Sequence, residues 1–299
     1  MKQTVKKFMV SAAFFVAFLI FLMGRSVWAA VPDRILSITP AGTEILYDLG
    51  LGGRVIGVTK YCSWPPEAQT KPSLGDMMHV NLEVVMGMTP DLVLVSNMNV
   101  QVGEQVGALG YPVVTVYQDD FEQICDSMLR VGQACGVEEM AKRRIAELRE
   151  SVRAKTIPLS ETPPKVLIVV GRDPSEEDVR KIYVAGQVAF YNDLIARAGG
   201  VNAYAQDVPY AQMSREGLLR VDPDVIIELI GESGMEATME IPTDHVISQW
   251  KAVPDLRAAR EGRVAVIRGD FTLRAGPRYP QILDAFITII RDGVREISQ

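Results

Sequence analysis

Short apolar runs alternate with amphipathic stretches along most of the chain. Arg34–Ile38, Arg54–Val58, Asp91–Val95 and Val113–Val116 have the length and the Val/Ile/Leu content of buried strands. Between them, apolar positions recur at helical spacing around Thr43–Leu49, Leu82–Met88 and Glu122–Ala134. Strand–helix alternation predicts parallel sheets covered by helices. Residues Glu138 to Lys155 depart from this rhythm: they are charged, lack Gly and Pro, and place Ala141, Ile145, Leu148 and Val152 on one face. That spacing predicts a single helix about 27 Å long. Pro158, Pro163 and Pro164 then break the chain. The alternation restarts with Lys165–Val170, Asp224–Leu229 and Arg263–Ile267, and is expected to end in a helix from Tyr279 to Ile297. The pattern therefore predicts an α/β protein of two Rossmann-like lobes, 30–137 and 158–299, joined by one long rigid helix at 138–157.

A local repeat links the two halves. Asn81-Leu82-Glu83 is followed after seven residues by Pro90-Asp91 and an apolar strand, and Ser214-Arg215-Glu216 is followed in the same way by Pro223-Asp224 and another. In each, a capping residue opens a short helix with Glu in its first turn. The matched glutamates suggest structurally equivalent lobes.

The N-terminus has a different character. Lys2, Lys6 and Lys7 precede an uncharged apolar run from Phe8 to Met23, and Val27-Trp28-Ala29 supplies small residues where a signal peptidase reads them. Residues 1–29 are expected to be a signal peptide cleaved before Ala30, so the mature chain is expected to be exported. Removing Lys2, Lys6, Lys7 and Arg25 takes four positive charges from a formal net charge of −6, leaving −10. An acidic exported chain is a poor partner for nucleic acid. Export permits disulfides, but Cys62, Cys125 and Cys135 are odd in number. Cys125 and Cys135 on one helix would lie about 15 Å apart, too far to bond. Their spacing matches no metal motif, so buried structural thiols are expected.

Catalytic signatures fail in context. The glycines of Leu49–Gly53 end a helix and precede a strand, the reverse of a dinucleotide-binding loop. There is no phosphate-cradling loop with Lys-Ser or Lys-Thr and no Gly-x-Ser-x-Gly elbow. Two histidines, His79 and His245, are too few for a zinc site built from imidazoles or for most hydrolase triads. A binding protein with no cofactor of its own is expected, and not an enzyme. An exported enzyme or a receptor-coupled sensor on the same scaffold is the alternative class. Aromatic and Arg residues stand in the segments after strands, where open parallel sheets bind ligands: Tyr61 and Trp64 after the second strand, Tyr210 before the Ser214 helix, Phe271 and Arg274 near the end. Together they span both lobes, as a cleft binder requires.

From Arg34 to the C-terminus the chain resembles the periplasmic binding proteins whose lobes are joined by one rigid helix and which carry cobalamin, ferric siderophores or haem to ABC importers. The resemblance rests on Arg34–Glu44 (RILSITPAGTE), Val55–Tyr61 (VIGVTKY), Trp64–Ala68 (WPPEA), Asn81-Leu82-Glu83 with Pro90-Asp91, and Met213–Glu216 (MSRE). It is most similar to the cobalamin-binding branch, with Tyr61, Tyr210 and Asp270–Arg274 where that branch contacts the corrinoid. Met77 and Ser96 stand where that branch can present tryptophan. The resemblance implies delivery of a corrinoid to a permease and its ATPase subunit, with Glu83 and Glu216 docking onto permease arginines. A siderophore or haem is the alternative ligand, with Tyr61 or His79 as a haem-iron ligand.

Overall fold

The structure, a computed structural model, describes residues 31–76, 79–172, 179, 181–231, 241–293 and 296–297. The expected signal peptide and Met77 lie outside them. From Pro32 onward the chain forms one compact unit. It carries two sheets, as the alternating pattern predicts.

The first sheet is wholly parallel. Its strands β1 (Ile35–Ser37), β2 (Val55–Val58), β3 (Leu92–Ser96) and β4 (Val113–Val116) stand in the order β2-β1-β3-β4. Helices α1 (Pro40–Asp48), α2 (Leu82–Met88), α3 (Val100–Ala108) and α4 (Phe121–Ala134) connect and cover them. The second sheet contains β5 (Lys165–Gly171), β6 (Lys181–Ala185), β7 (Val201–Asn202), β8 (Tyr210–Ser214), β9 (Val225–Ile230), β10 (Val264–Arg268) and β11 (Glu296–Ile297), in the order β11-β10-β9-β5-β6-β8 with β7 beside β5. β6 runs antiparallel to both of its neighbours, β5 and β8, and the other pairings are parallel. Its helices are α6 (Tyr191–Arg197), α7 (Arg215–Val221), α8 (Thr243–Lys251), the short α9 (Arg257–Arg260) and α10 (Tyr279–Asp292).

The helix between the sheets is α5 (Glu138–Lys155), and its buried residues are Ala141, Ile145, Leu148 and Val152, the face that periodicity selects. It packs on α4 and α10, tied by Arg144 to Asp48 at 2.9 Å and by Lys155 to Asp284. One apolar core runs through residues of both lobes, from Ile35 and Leu94 to Ile168 and Phe286. Phe121 and Tyr279 bring their rings to 4.9 Å within it.

The local repeat is also a structural one. α2 and α7 each span seven residues. Asn81 Oδ1 accepts from the Glu83 and Val84 amides, and Ser214 Oγ accepts from the Gly217 amide. Each helix ends in a left-handed residue that is not glycine, Thr89 at φ 42° and Asp222 at φ 39°. Such a conformation costs roughly 1–2 kcal/mol. The following Pro-Asp then returns the chain to the sheet. Asp91 accepts from the Asp33 and Arg34 amides at 3.0 Å, and Asp224 accepts from the Lys165 amide at 2.8 Å. The two aspartates thus tether the entry to β1 and to β5 by the same device.

Two expectations are corrected. The last helix ends at Asp292, because Gly293 takes φ 68°, and Glu296–Ile297 is a strand beside β10 and not helix. Tyr210 opens the edge strand β8 and does not sit in a loop. All three cysteines are buried free thiols.

Candidate functional site

A cleft of about 440 Å³ opens between the lobes. The first lobe contributes the segments that leave β1, β3 and β4: Thr39 to Ala41, Asn97 with Met98, and Gln118 with Asp119. β1 and β3 are neighbours whose connections leave in opposite directions along the sheet, so their carboxyl ends part and leave a crevice, as open parallel sheets do. The second lobe contributes Val188–Phe190 after β6, Tyr210 at the start of β8, and Leu273–Ala275 after β10. Met98, Val188, Tyr210 and Leu273 are between 40 and 57% exposed, an unusual degree for large apolar side chains gathered around one cavity.

Polar groups are few and held. Arg274 is buried and lies 2.7 Å from Asp270, also buried. Arg274 Nη1 donates to Ser63 Oγ, so this guanidinium bridges from the second lobe to the first. Across the cleft, the Asn97 amide holds both oxygens of Asp119, at 3.2 and 3.0 Å. The Tyr210 hydroxyl is desolvated although its ring is accessible, and burial followed by the charge of Asp119 pushes its pKa up. Tyr210 is therefore a hydrogen-bonding phenol at neutral pH and resists becoming a phenolate.

The structure divides the residues expected to line this cleft. Tyr210 and Arg274 do so. Asp270 stands behind Arg274 and orients it. Phe271 is only 4% exposed, belongs to the apolar core, and is not among the residues that line the cleft. The structure thus does not bring Phe271 to the cleft wall where it was expected, and the reason is geometric: in the turn of 3₁₀ helix at Asp270–Leu273, Leu273 is the one exposed side chain. Trp64 lies in a separate groove of about 830 Å³ bounded by α1, α5 and the start of α10, with the Arg278 guanidinium 4.9 Å from its ring. Arg278 pairs in turn with buried Glu44 at 2.6 Å. Tyr61 is half-buried in the turn after β2 beside Lys60, and is not among the residues lining the cleft.

His79 is exposed and pairs with Asp76 at 3.3 Å, while His245 meets Gln249 on α8. Neither lines the cleft. Ser96 is buried at the end of β3, where its hydroxyl caps the Met98 amide. Among the described residues no group of three or more His, Cys, Asp or Glu is placed to hold a metal ion. Burial raises the pKa of Cys125 and Cys135 to about 11, so they stay protonated. Glu83 and Glu216 are both exposed in the first turns of α2 and α7.

A family model described as periplasmic binding protein matches residues 35–271. The chain belongs to the periplasmic binding protein family. An uncharacterised ABC transporter substrate-binding lipoprotein of Bacillus subtilis, YvrC, is 30% identical over 278 residues, covering 90% of this chain and 79% of that one. A vitamin B12-binding protein of Photorhabdus laumondii is 28% identical over 253 residues, covering 83% of this chain and 84% of its own length. Among solved structures, the periplasmic heme-binding protein RhuT from Roseiflexus, in apo form, superposes with a TM-score of 0.71 at 26% identity, covering 87% of this chain and 98% of that one. For this periplasmic binding protein the interlobe cleft is the candidate ligand site.

Proposed function

We propose that this periplasmic binding protein captures a corrinoid, a cobalamin-like metal chelate, and delivers it to the permease of an ABC importer. The observation that carries the reading is the cleft at the carboxyl ends of β1, β3 and β4, faced by exposed apolar side chains of both lobes and closed by few polar groups. Such a surface suits a large ligand with an apolar body and a polar periphery. Relatives named for vitamin B12 binding span most of the chain, which supports the choice of corrinoid. A haem that needs an axial ligand is less well served. Neither Tyr61 nor His79, the iron ligands that such a reading would use, is among the residues that line the cleft. A corrinoid brings its own axial ligands and asks only for contact and hydrogen bonds. A ferric siderophore, like haem, is an outcome of the test.

Delivery requires a second surface. Glu83 and Glu216 stand at equivalent points of the repeated helix–turn–strand unit, one per lobe. We assign them to docking, where two carboxylates would set register against basic patches on a permease. The reading also places the mature chain in the periplasm, after cleavage before Ala30, as a binding component with no reaction of its own. Visible spectra and titration calorimetry with cyanocobalamin, haemin and a ferric hydroxamate test the ligand. Saturable one-to-one binding of cyanocobalamin is expected. Binding of haemin with a new Soret band, and none of cyanocobalamin, would replace the corrinoid by haem.

A further inference from the structure

The cleft carries a fixed negative charge. Asp119 follows β4, is half-buried, and lines the cavity. Its neighbour Asp120 is engaged elsewhere, capping α4 through the Gln123 amide at 2.8 Å. Gln118 turns its amide to the Met98 sulfur at 3.7 Å. Asn97, at the end of the adjacent strand β3, spends one amide nitrogen on both Asp119 oxygens, and each oxygen retains acceptor capacity toward the cleft.

Among the described residues that line the cleft, Arg274 is the one cation, and Asp270 neutralises it at 2.7 Å. The N-terminus of α1 also opens here, at Pro40, and supplies about half an elementary positive charge, less than one carboxylate removes. The balance at the cleft wall is negative. The opposite wall feels it, since the Asp119 charge acts on the Tyr210 hydroxyl across the gap.

We propose that Asp119 is a specificity-determining residue: it makes the cleft accept chelates that present hydrogen-bond donors, such as primary amides, and reject chelates that present carboxylates there, with Asn97 as its positioning residue. The inference rests on the chelate-binding reading above. A bound ligand strips water from Asp119, and only a donor replaces the lost hydrogen bonds. A ligand carboxylate at the same place faces a like charge with neither group hydrated, which is discrimination by repulsion.

The test uses two matched pairs of probes: cyanocobalamin with a monocarboxylate made by hydrolysing one of its side-chain amides, and haemin with its dimethyl ester. Affinities are measured for the mature wild type, D119N, D119S and N97A, each checked for an unchanged thermal melt. The wild type is expected to prefer the uncharged member of the pair it binds by about tenfold at low salt, and D119N and D119S to lose that preference. N97A should reduce the preference without abolishing it, because the carboxylate remains but is no longer fixed. Added salt should shrink the wild-type preference and leave D119N unaffected. An equal or greater affinity for the carboxylate member in the wild type, or an unchanged preference in D119N and D119S, overturns the inference. A wild type that binds only the haem pair refutes the corrinoid reading, and the same ratio within that pair still decides the role of Asp119. Binding of neither pair overturns both.

Discussion

Tyr210 and Phe271 are both aromatic, both follow the strand grammar of the second lobe, and end in opposite environments. Tyr210 opens an edge strand and presents its ring to the cleft, whereas Phe271 is sealed in the core. Substituting each by Ala separates the two roles. Phe271→Ala should lower stability by about 3–5 kcal/mol through a cavity. Its ligand affinity, measured well below the melting transition, should change little. Tyr210→Ala should leave the melting temperature near that of the wild type and weaken cyanocobalamin binding by about 1–3 kcal/mol, the value of a buried apolar contact. Calorimetry paired with thermal melts checks both, and a Phe271→Ala variant that melts normally but fails to bind would return that ring to the cleft wall. Side-chain identity alone does not distinguish these positions. Trp64 shows the same limit: its place after the second strand is legible, but the turn that follows carries it toward α10 and Arg278, away from the cleft. Asn97, Met98 and Asp119 were legible only as the residues next after parallel strands, a signal that aromatic content obscures.

At the scale of elements, far more was readable. Most strands of the parallel sheets announce themselves as apolar runs, and α2 and α7 as capped helices followed by Pro-Asp. Strand β6 and the edge strand β8 escaped because they are partly exposed and mix polar with apolar residues, which erases the buried-strand signature. The repeated unit gives the docking assignment its strongest support. A glutamate in the first turn of a helix is explained by the helix dipole, worth about 0.3–1 kcal/mol, and Glu83 and Glu216 each fit that account singly. The dipole does not explain why both are exposed at the same step of the same unit in each lobe. The double substitution Glu83→Lys with Glu216→Lys should leave cyanocobalamin affinity within about twofold, since neither residue lines the cleft. It should abolish stimulation of the importer ATPase in reconstituted vesicles. Stimulation at the wild-type rate would reduce both residues to helix capping.

The whole molecule is braced across the lobe boundary, and this decides how it moves. Glu44 on α1 meets Arg278 at the start of α10 through contacts of 2.6 and 3.0 Å, both side chains buried. Arg274 reaches Ser63 in the same region. Asp193 accepts from the Phe121 amide at 3.2 Å and from the Tyr279 hydroxyl at 2.7 Å, joining α4, α6 and α10. α5 is pinned by Arg144, a third of the way along it, to Asp48 and by Lys155, its last residue, to Asp284. A hinge opening would part the buried Glu44–Arg278 pair and also expose to water the apolar core that runs through residues of both lobes, and losing that burial opposes it. Ligand binding should therefore shift the lobes by less than about 2 Å, the range of preorganised complexes. Spin labels at exposed Glu83 and Glu216, one per lobe, measure this directly with and without cyanocobalamin. Breaking the brace tests the cause. Glu44→Ala strands the Arg278 charge and should destabilise the fold by about 3–5 kcal/mol, whereas an apolar replacement of both partners, Glu44→Leu with Arg278→Met, should recover much of that loss. A large ligand-induced change of label separation in the wild type would show that the seam does not restrain the lobes.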